Sequence, residues 1–266
     1  MSAEKLPGPE RIHRYLRREA FPHTFCRGCG HVLIMESVLL AIDELGIDID
    51  RCVFVSGIGC AAWIPSPYIN ADTLHTTHGR PIAFATGVKL TNPELCVFVV
   101  SGDGDLASIG GNHLIHAARR DVDMTVICAN NMIYGMTGGQ LASTTPRGRF
   151  TATSPPPEGN PERAFDLSKL VAAAGASFVA RYYSAHKKEL VEAIKRAMNT
   201  TGFSFVEVIS PCTTQYLRRN PAPEGGKPAL GPHMFVHISD ARKMSPQELE
   251  GKIVYGQFVP EEGVDG

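Results

Sequence analysis

A doubly wound α/β domain on a parallel sheet, with an extended C-terminal tail, is the fold that three features predict. Leu95–Val100, Met124–Ala129 and Phe203–Ile209 are dominated by apolar residues, as strands buried on both faces are. Segments of helical periodicity lie between such runs, the alternation that a parallel sheet needs. Polar, glycine-containing turns follow two strands directly, at the carboxyl ends where open α/β sheets bind ligands.

Residues 1–25 lack periodicity, carry Pro7, Pro9 and Pro22, and read as an N-terminal arm. Residues 26–212 form the main domain. It opens with a helix over His31–Leu45, closed by Gly46 at the position that favours a left-handed cap. A strand at Arg51–Ser56 leads into a Gly-, Ala- and Pro-rich connection over 57–81, long for an ordinary loop. The pattern then predicts a helix over Ile82–Leu90, the strand Leu95–Val100, a helix over Leu106–Ala118 and the strand Met124–Ala129. After a loop over 137–161 come a helix near Leu167–Ala174, a strand at Ser177–Ala180, a helix over His186–Met198 and the strand Phe203–Ile209. Residues 213–266 regain no periodicity and are expected to form a C-terminal extension that packs on a partner.

Composition removes several function classes. A formal net charge of -1, without basic clusters interleaved with aromatics, excludes a nucleic-acid partner. The N-terminus has no apolar core of a secretory signal, and no apolar run spans a bilayer, so a cytoplasmic, membrane-free protein is expected. In that reducing compartment seven cysteines point to metal ligation or burial, not to disulfides.

The strand Leu95–Val100 runs straight into Ser101-Gly102-Asp103-Gly104-Asp105. Glycines let a backbone approach a phosphate closely, and an aspartate between them offers Mg²⁺ a hard oxygen. The next strand ends in Asn130-Asn131, whose amide oxygen is a second such ligand. This Gly-Asp-Gly, followed after 25 residues by Asn-Asn, resembles the thiamine diphosphate signature of the transketolase and pyruvate dehydrogenase class. The resemblance implies that Asp103 and Asn131 bind Mg²⁺ by side chain and Ile133 by its carbonyl.

The cysteines divide into two sets. Cys26 and Cys29 stand at ligand spacing before a helix, and Cys60 and Cys212 each lie just past a strand. Four such thiolates suit a [4Fe–4S] cluster or tetrahedral zinc, and spacing does not separate the two. Cys52, Cys96 and Cys128 fall inside apolar strands, as small buried hydrophobes do. Cys-x-Gly-Cys-Gly-His, Gly-Ile-Gly-Cys, Leu74-His-Thr-Thr-His-Gly-Arg80, the GDGD loop and NNMIYGMTGGQ occur in order over roughly residues 20–215. Together they resemble the β subunits of 2-oxoacid:ferredoxin oxidoreductases, most of all those acting on 2-oxoglutarate.

That resemblance implies Cys26, Cys29, Cys60 and Cys212 as ligands of a [4Fe–4S] cluster. It implies thiamine diphosphate contacts from Ile58, Gly59, Cys60, Ala61, His78, Gly104, Asp105, Gly135, Met136 and Thr137. The implied reaction is coenzyme A-dependent oxidative decarboxylation of a 2-oxoacid, with electrons passing through the cluster to ferredoxin. An α subunit is implied as partner, because the glutamate that pairs with the thiamine ring comes from it, and γ and δ subunits accompany it in some complexes. The sequence departs from many relatives at Ala61-Ala62-Trp63, apolar where they carry a polar or basic residue.

Of the histidines, His78 is expected to serve the site, as a proton carrier or phosphate contact. His75 is expected only to hydrogen-bond near a helix start, and His31 to begin a helix. A non-oxidative thiamine decarboxylase or synthase needs the diphosphate loop but not the four cysteines. A zinc-stabilised phosphate-binding regulatory module needs the cysteines but not thiamine.

Overall fold

Each strand-forming run is short, rich in β-branched or aromatic residues, and bounded by glycine, proline or charge. In the computed structural model, which describes residues 6–260, these runs become one sheet. Its strands are β1 (Cys52–Ser56), β2 (Asp72–His75), β3 (Cys96–Gly102), β4 (Met124–Asn130), β5 (Phe178–Tyr183), β6 (Phe203–Ile209), β7 (Phe235–His237) and β8 (Ile253–Val259). Their spatial order is β2-β1-β3-β4-β6-β5-β8-β7. The first six are parallel throughout, and β8 returns antiparallel against β5. Every residue of β4 and β6 is buried, as central strands covered on both faces require.

The helices are α1 (His31–Leu45), α2 (Pro81–Thr91), α3 (Gly111–Arg119), α4 (Leu167–Ala173), α5 (Lys187–Asn199) and the short α6 (Tyr216–Arg219) and α7 (Ile238–Ala241). α1 and α5 cover one sheet face, over Phe54, Phe98, Ile127 and Val206. α2, α3 and α4 cover the other, over Val99, Val126, Val179 and Phe205. The doubly wound parallel fold expected from the alternating pattern is therefore present. Gly46 closes α1 at φ 65°, the left-handed cap its position predicts.

Four local expectations change. The connection over 57–81 contains β2, an edge strand whose polar, largely exposed residues carry no burial signal. The helix expected over Leu106–Ala118 is broken into a π-helical turn, Gly104–Ile109, and α3. The break follows from Gly110, whose N–H reaches back to the Asp105 carbonyl at 3.0 Å. Within the arm, residues 6–25 form two 3₁₀ turns that bury Ile12, Tyr15 and Leu16 against α1, while residues 1–5 and 261–266 lie outside the described residues. The segment after Thr213 packs on its own chain: β8 adds to the sheet, and Phe235 and Ile253 join a small core with Tyr183 and Tyr216.

That return of the chain is tied down by charge. Arg181 on β5 is buried beside Glu207 on β6, its register partner, with Nε 2.8 Å from a carboxylate oxygen. The same guanidinium pairs with Asp166 at the start of α4 and donates to the Val254 carbonyl of β8 at 3.0 Å. Removing one partner of a buried ion pair strands the other charge. Arg181→Met is therefore expected to destabilise the chain by about 3–5 kcal/mol, read from chemical denaturation; a loss below about 1 kcal/mol would mean that these charges are not desolvated.

Candidate cofactor site

Because β1, β3, β4 and β6 run parallel, their carboxyl ends open on one edge, and each delivers a loop there. β3 delivers Asp103 and Asp105, both 2% exposed. A buried carboxylate needs full hydrogen bonding or a cation. Asp105 has the first. It accepts from Ile58 N at 3.1 Å, Gly79 N at 2.7 Å, His78 Nδ1 at 2.5 Å and Ser101 Oγ at 2.8 Å. The fit is close enough that a Cβ on Gly57 would collide with the Asp105 carboxylate.

Asp103 is different. It accepts from the Thr144 hydroxyl and, at 3.4 Å, from Asn131 N. Burial nonetheless pushes its carboxyl up to about 6, against the hydrogen bonds it accepts. A divalent cation alongside would reverse that penalty, so the donor chemistry fits Mg²⁺.

The second half of this floor comes from β4. Asn131 and Ile133 sit in a tight turn in which Met132 takes φ 62°. Asn130 Oδ1 accepts from Met132 N at 3.0 Å, Asn131 Oδ1 from Ile133 N at 3.2 Å, and the Thr145 hydroxyl donates to the Met132 carbonyl at 2.6 Å. Asn130 is in turn anchored by donating to Glu207 at 2.7 Å, so the buried pair of Arg181 and Glu207 also braces this turn. Tyr134 closes against the first loop, its hydroxyl donating to the Gly104 carbonyl at 3.1 Å.

One cleft collects these groups. Ile58, Gly59, Cys60, Ala61, His78, Asp103, Gly104, Asp105, Asn131, Ile133, Gly135, Met136 and Thr137 all line it, together with Gly102 and Tyr134. The bond from His78 Nδ1 to Asp105 leaves Nε2 as the nitrogen available to a ligand. His75 lies apart and bonds Ser56 Oγ at 3.0 Å. Of the supporting residues, Thr144 lies in the aperiodic loop, and Ser101 and Glu207 stand in the sequence only as members of the strand-end motif and of a strand. Only Glu207, a charge inside an apolar strand, carries a signal there.

Cys26, Cys29, Cys60 and Cys212 line an adjoining cavity of about 420 Å³. Cys29 N donates to Cys26 O at 3.0 Å, forming the turn that presents both thiols. Gly30 then lets this turn meet the end of β6, since a Cβ there would stand 2.5 Å from Ser210 Oγ and 2.8 Å from Pro211. The Thr213 hydroxyl donates to Arg27 O at 3.0 Å, and His31 Nδ1 shares a hydrogen with Ser210 Oγ at 3.1 Å. His31 is fully buried, and burial lowers its pKa to about 4, so it stays neutral. Burial and the neighbouring Cys212, Cys60 and Cys26 push the Cys29 thiol up to about 11, an environment that favours thiolates only when positive metal shares it. Among the described residues no three His, Cys, Asp or Glu side chains stand close enough together to hold a single metal ion. The two cavities share the wall made by Cys60, Asn131, Gly135 and Met136.

Known proteins resemble this chain along most of its length. Residues 57–208 match the family described as thiamine pyrophosphate enzyme, C-terminal TPP binding domain. The chain is 52% identical to the 2-oxoglutarate synthase subunit KorB of Methanothermobacter thermautotrophicus, over 92% of this chain and 85% of the relative. It is 49% identical to the subunit of the same name from Methanocaldococcus jannaschii, over 92% and 90%. Among solved structures, a 2-oxoglutarate:ferredoxin oxidoreductase from Magnetococcus marinus, with 2-oxoglutarate, coenzyme A and succinyl-CoA bound, matches with a TM-score of 0.79 and 32% identity, over 97% of this chain and 87% of that one. With identity near one half along nine-tenths of its length, the chain belongs to the family of 2-oxoglutarate synthase KorB subunits, built on the thiamine pyrophosphate enzyme domain.

Proposed function

We propose that this chain is the thiamine-diphosphate-binding subunit of a cytoplasmic 2-oxoacid:ferredoxin oxidoreductase that converts 2-oxoglutarate and coenzyme A to succinyl-coenzyme A and CO₂. The observation that carries the reading is the shared wall: a diphosphate–Mg²⁺ floor and a four-cysteine cavity lie back to back, separated by Cys60, Asn131, Gly135 and Met136. Thiamine diphosphate, when bound, would supply the electron sink for decarboxylation, and a [4Fe–4S] cluster held by Cys26, Cys29, Cys60 and Cys212 would supply one-electron chemistry toward ferredoxin.

The protein's part is binding and orientation. Asp103, Asn131 and the Ile133 carbonyl would hold Mg²⁺ against the diphosphate, and the glycines at 102 and 104 let the backbone approach it. Asp105 fixes the His78 ring, so that Nε2 meets the ligand in one orientation. Cys26, Cys29, Cys60 and Cys212 would hold the cluster. Their cavity of about 420 Å³ is larger than one zinc ion needs, which favours the cluster over zinc. A non-oxidative thiamine enzyme has no use for this second cavity.

The cleft is half a site. Asp103 and Asp105 are the carboxylates among its described lining residues, and both are committed to its floor. The acid that pairs with the thiamine ring is therefore assigned to an α subunit, with γ and δ subunits where the complex contains them. The substrate assignment rests on the relatives, because Ala61, Ala62 and Trp63 offer a substrate carboxylate no charge.

Three outcomes test the reading. The complex, purified anaerobically with its partner subunits, is expected to reduce ferredoxin when given 2-oxoglutarate and coenzyme A together; turnover of pyruvate alone would overturn the substrate assignment. Asp103→Asn is expected to weaken Mg²⁺-dependent thiamine diphosphate binding by at least about 100-fold, and Gly57→Ala, which disturbs only the Asp105 cradle, by roughly 10–100-fold, both by titration calorimetry. The chain should carry about four irons and a brown visible spectrum, both lost in Cys29→Ser. A colourless zinc protein that ignores thiamine diphosphate would sink the proposal.

A further inference from the structure

At the opposite end of the sheet, Cys52 opens β1 and Cys96 opens β3. The two are direct Cα partners in the parallel register. Both side chains face α1 and α5, since Cys52 belongs to that core and Cys96 packs against it. Neighbouring strands lie about 4.8 Å apart, within the roughly 4.4–6.8 Å of Cα separation that a disulfide spans. Each thiol is near enough to perturb the ionisation of the other.

The pair is asymmetric. Cys52 is 1% exposed, and its thiol donates toward Asp48 O at 3.5 Å. Cys96 is half-buried and opens onto a surface cleft that also contains Lys89, Glu94, Asp123 and Thr200. Lys89 Nζ stands 2.7 Å from Asp123 and 3.0 Å from the Leu95 carbonyl, and Arg51 donates to the Glu94 carbonyl at 3.0 Å. The neighbouring Cys52 thiol and the cations Lys89 and Arg51 pull the Cys96 thiol below its ordinary range, outweighing burial and Asp123. The neighbouring Cys96, burial and Asp48 push the Cys52 thiol up. A reachable thiol that ionises readily, backed by a buried one, is the arrangement of an attacking and a resolving cysteine.

We propose that Cys52 and Cys96 are a hydroperoxide-reactive dithiol that closes into a reversible cross-strand disulfide. The Cys96 thiolate attacks the O–O bond of a hydroperoxide, forming a sulfenic acid and releasing water or an alcohol. Cys52 then attacks that sulfur, the S–S bond forms, and the sulfenic oxygen leaves as water. Two thiols are oxidised and one peroxide is reduced, with no other electron carrier.

Anaerobic complex exposed to hydrogen peroxide, then alkylated, digested and mapped by fragmentation that separates Cys52 from Cys60, tests this. The expected result is a Cys52–Cys96 cross-link with loss of both thiols from the alkylated pool, restored by dithiothreitol. In Cys52→Ser the cross-link should vanish and Cys96 should be trapped as a dimedone adduct. Recovery of both cysteines alkylated as in unexposed protein would overturn the proposal, as would stepwise oxidation of Cys96 to sulfinic acid in the wild type without the cross-link. The wild-type map decides even where the variant folds poorly.

Discussion

The Asp105 carboxylate draws the cleft together. It is withdrawn from water, and a charged group so placed persists only with its lone pairs filled. The four donors that fill them come from three places: the loop after β1, the loop before α2 and the end of β3 itself. The walls of the cleft are thus spaced by one group's hydrogen-bonding requirement. Gly57 follows from it, because no side chain fits beside that carboxylate. The orientation of His78 follows as well, its Nδ1 being held by the same oxygen.

A comparable economy governs the sulfur cavity. Cys26 and Cys29 precede α1 while Cys212 follows β6, so they are remote in sequence. Gly30 allows the backbones to approach, and Thr213 and Ser210 bond across the junction. Gly135 lies between this cavity and the diphosphate floor. An ideal Cβ there would sit 3.5 Å from Cys212 Sγ and 4.0 Å from Cys60 Sγ, so the turn that follows Asn131 is also a wall of the sulfur cavity.

Much of this was legible because a strand end is a local event. A run of buried residues that stops at Gly-Asp-Gly announces a ligand loop without reference to the rest of the chain, and so does Asn-Asn after the next strand. What stayed hidden depends on register or on burial of polar groups. Thr144 reaches Asp103 from an aperiodic loop. β2 is a polar edge strand, and β8 joins the sheet from a segment with no periodic pattern. Cys52 and Cys96 each look like small hydrophobes in isolation; only the register of β1 on β3 makes them a pair. Glu207 was the readable exception, since a charge inside a strand buried on both faces must find a partner, whereas Arg181 falls just past the strand expected over Ser177–Ala180.

The rim of the cleft bears on how the site is completed. Ile58 and Met136, 38% and 52% exposed, line the cleft above its buried carboxylates. Large apolar side chains around a charged floor leave the floor open to water, which screens the electrostatics that cofactor chemistry relies on. Covering the rim serves two needs at once, burying these side chains and drying the floor. A second chain packed over this rim would do both.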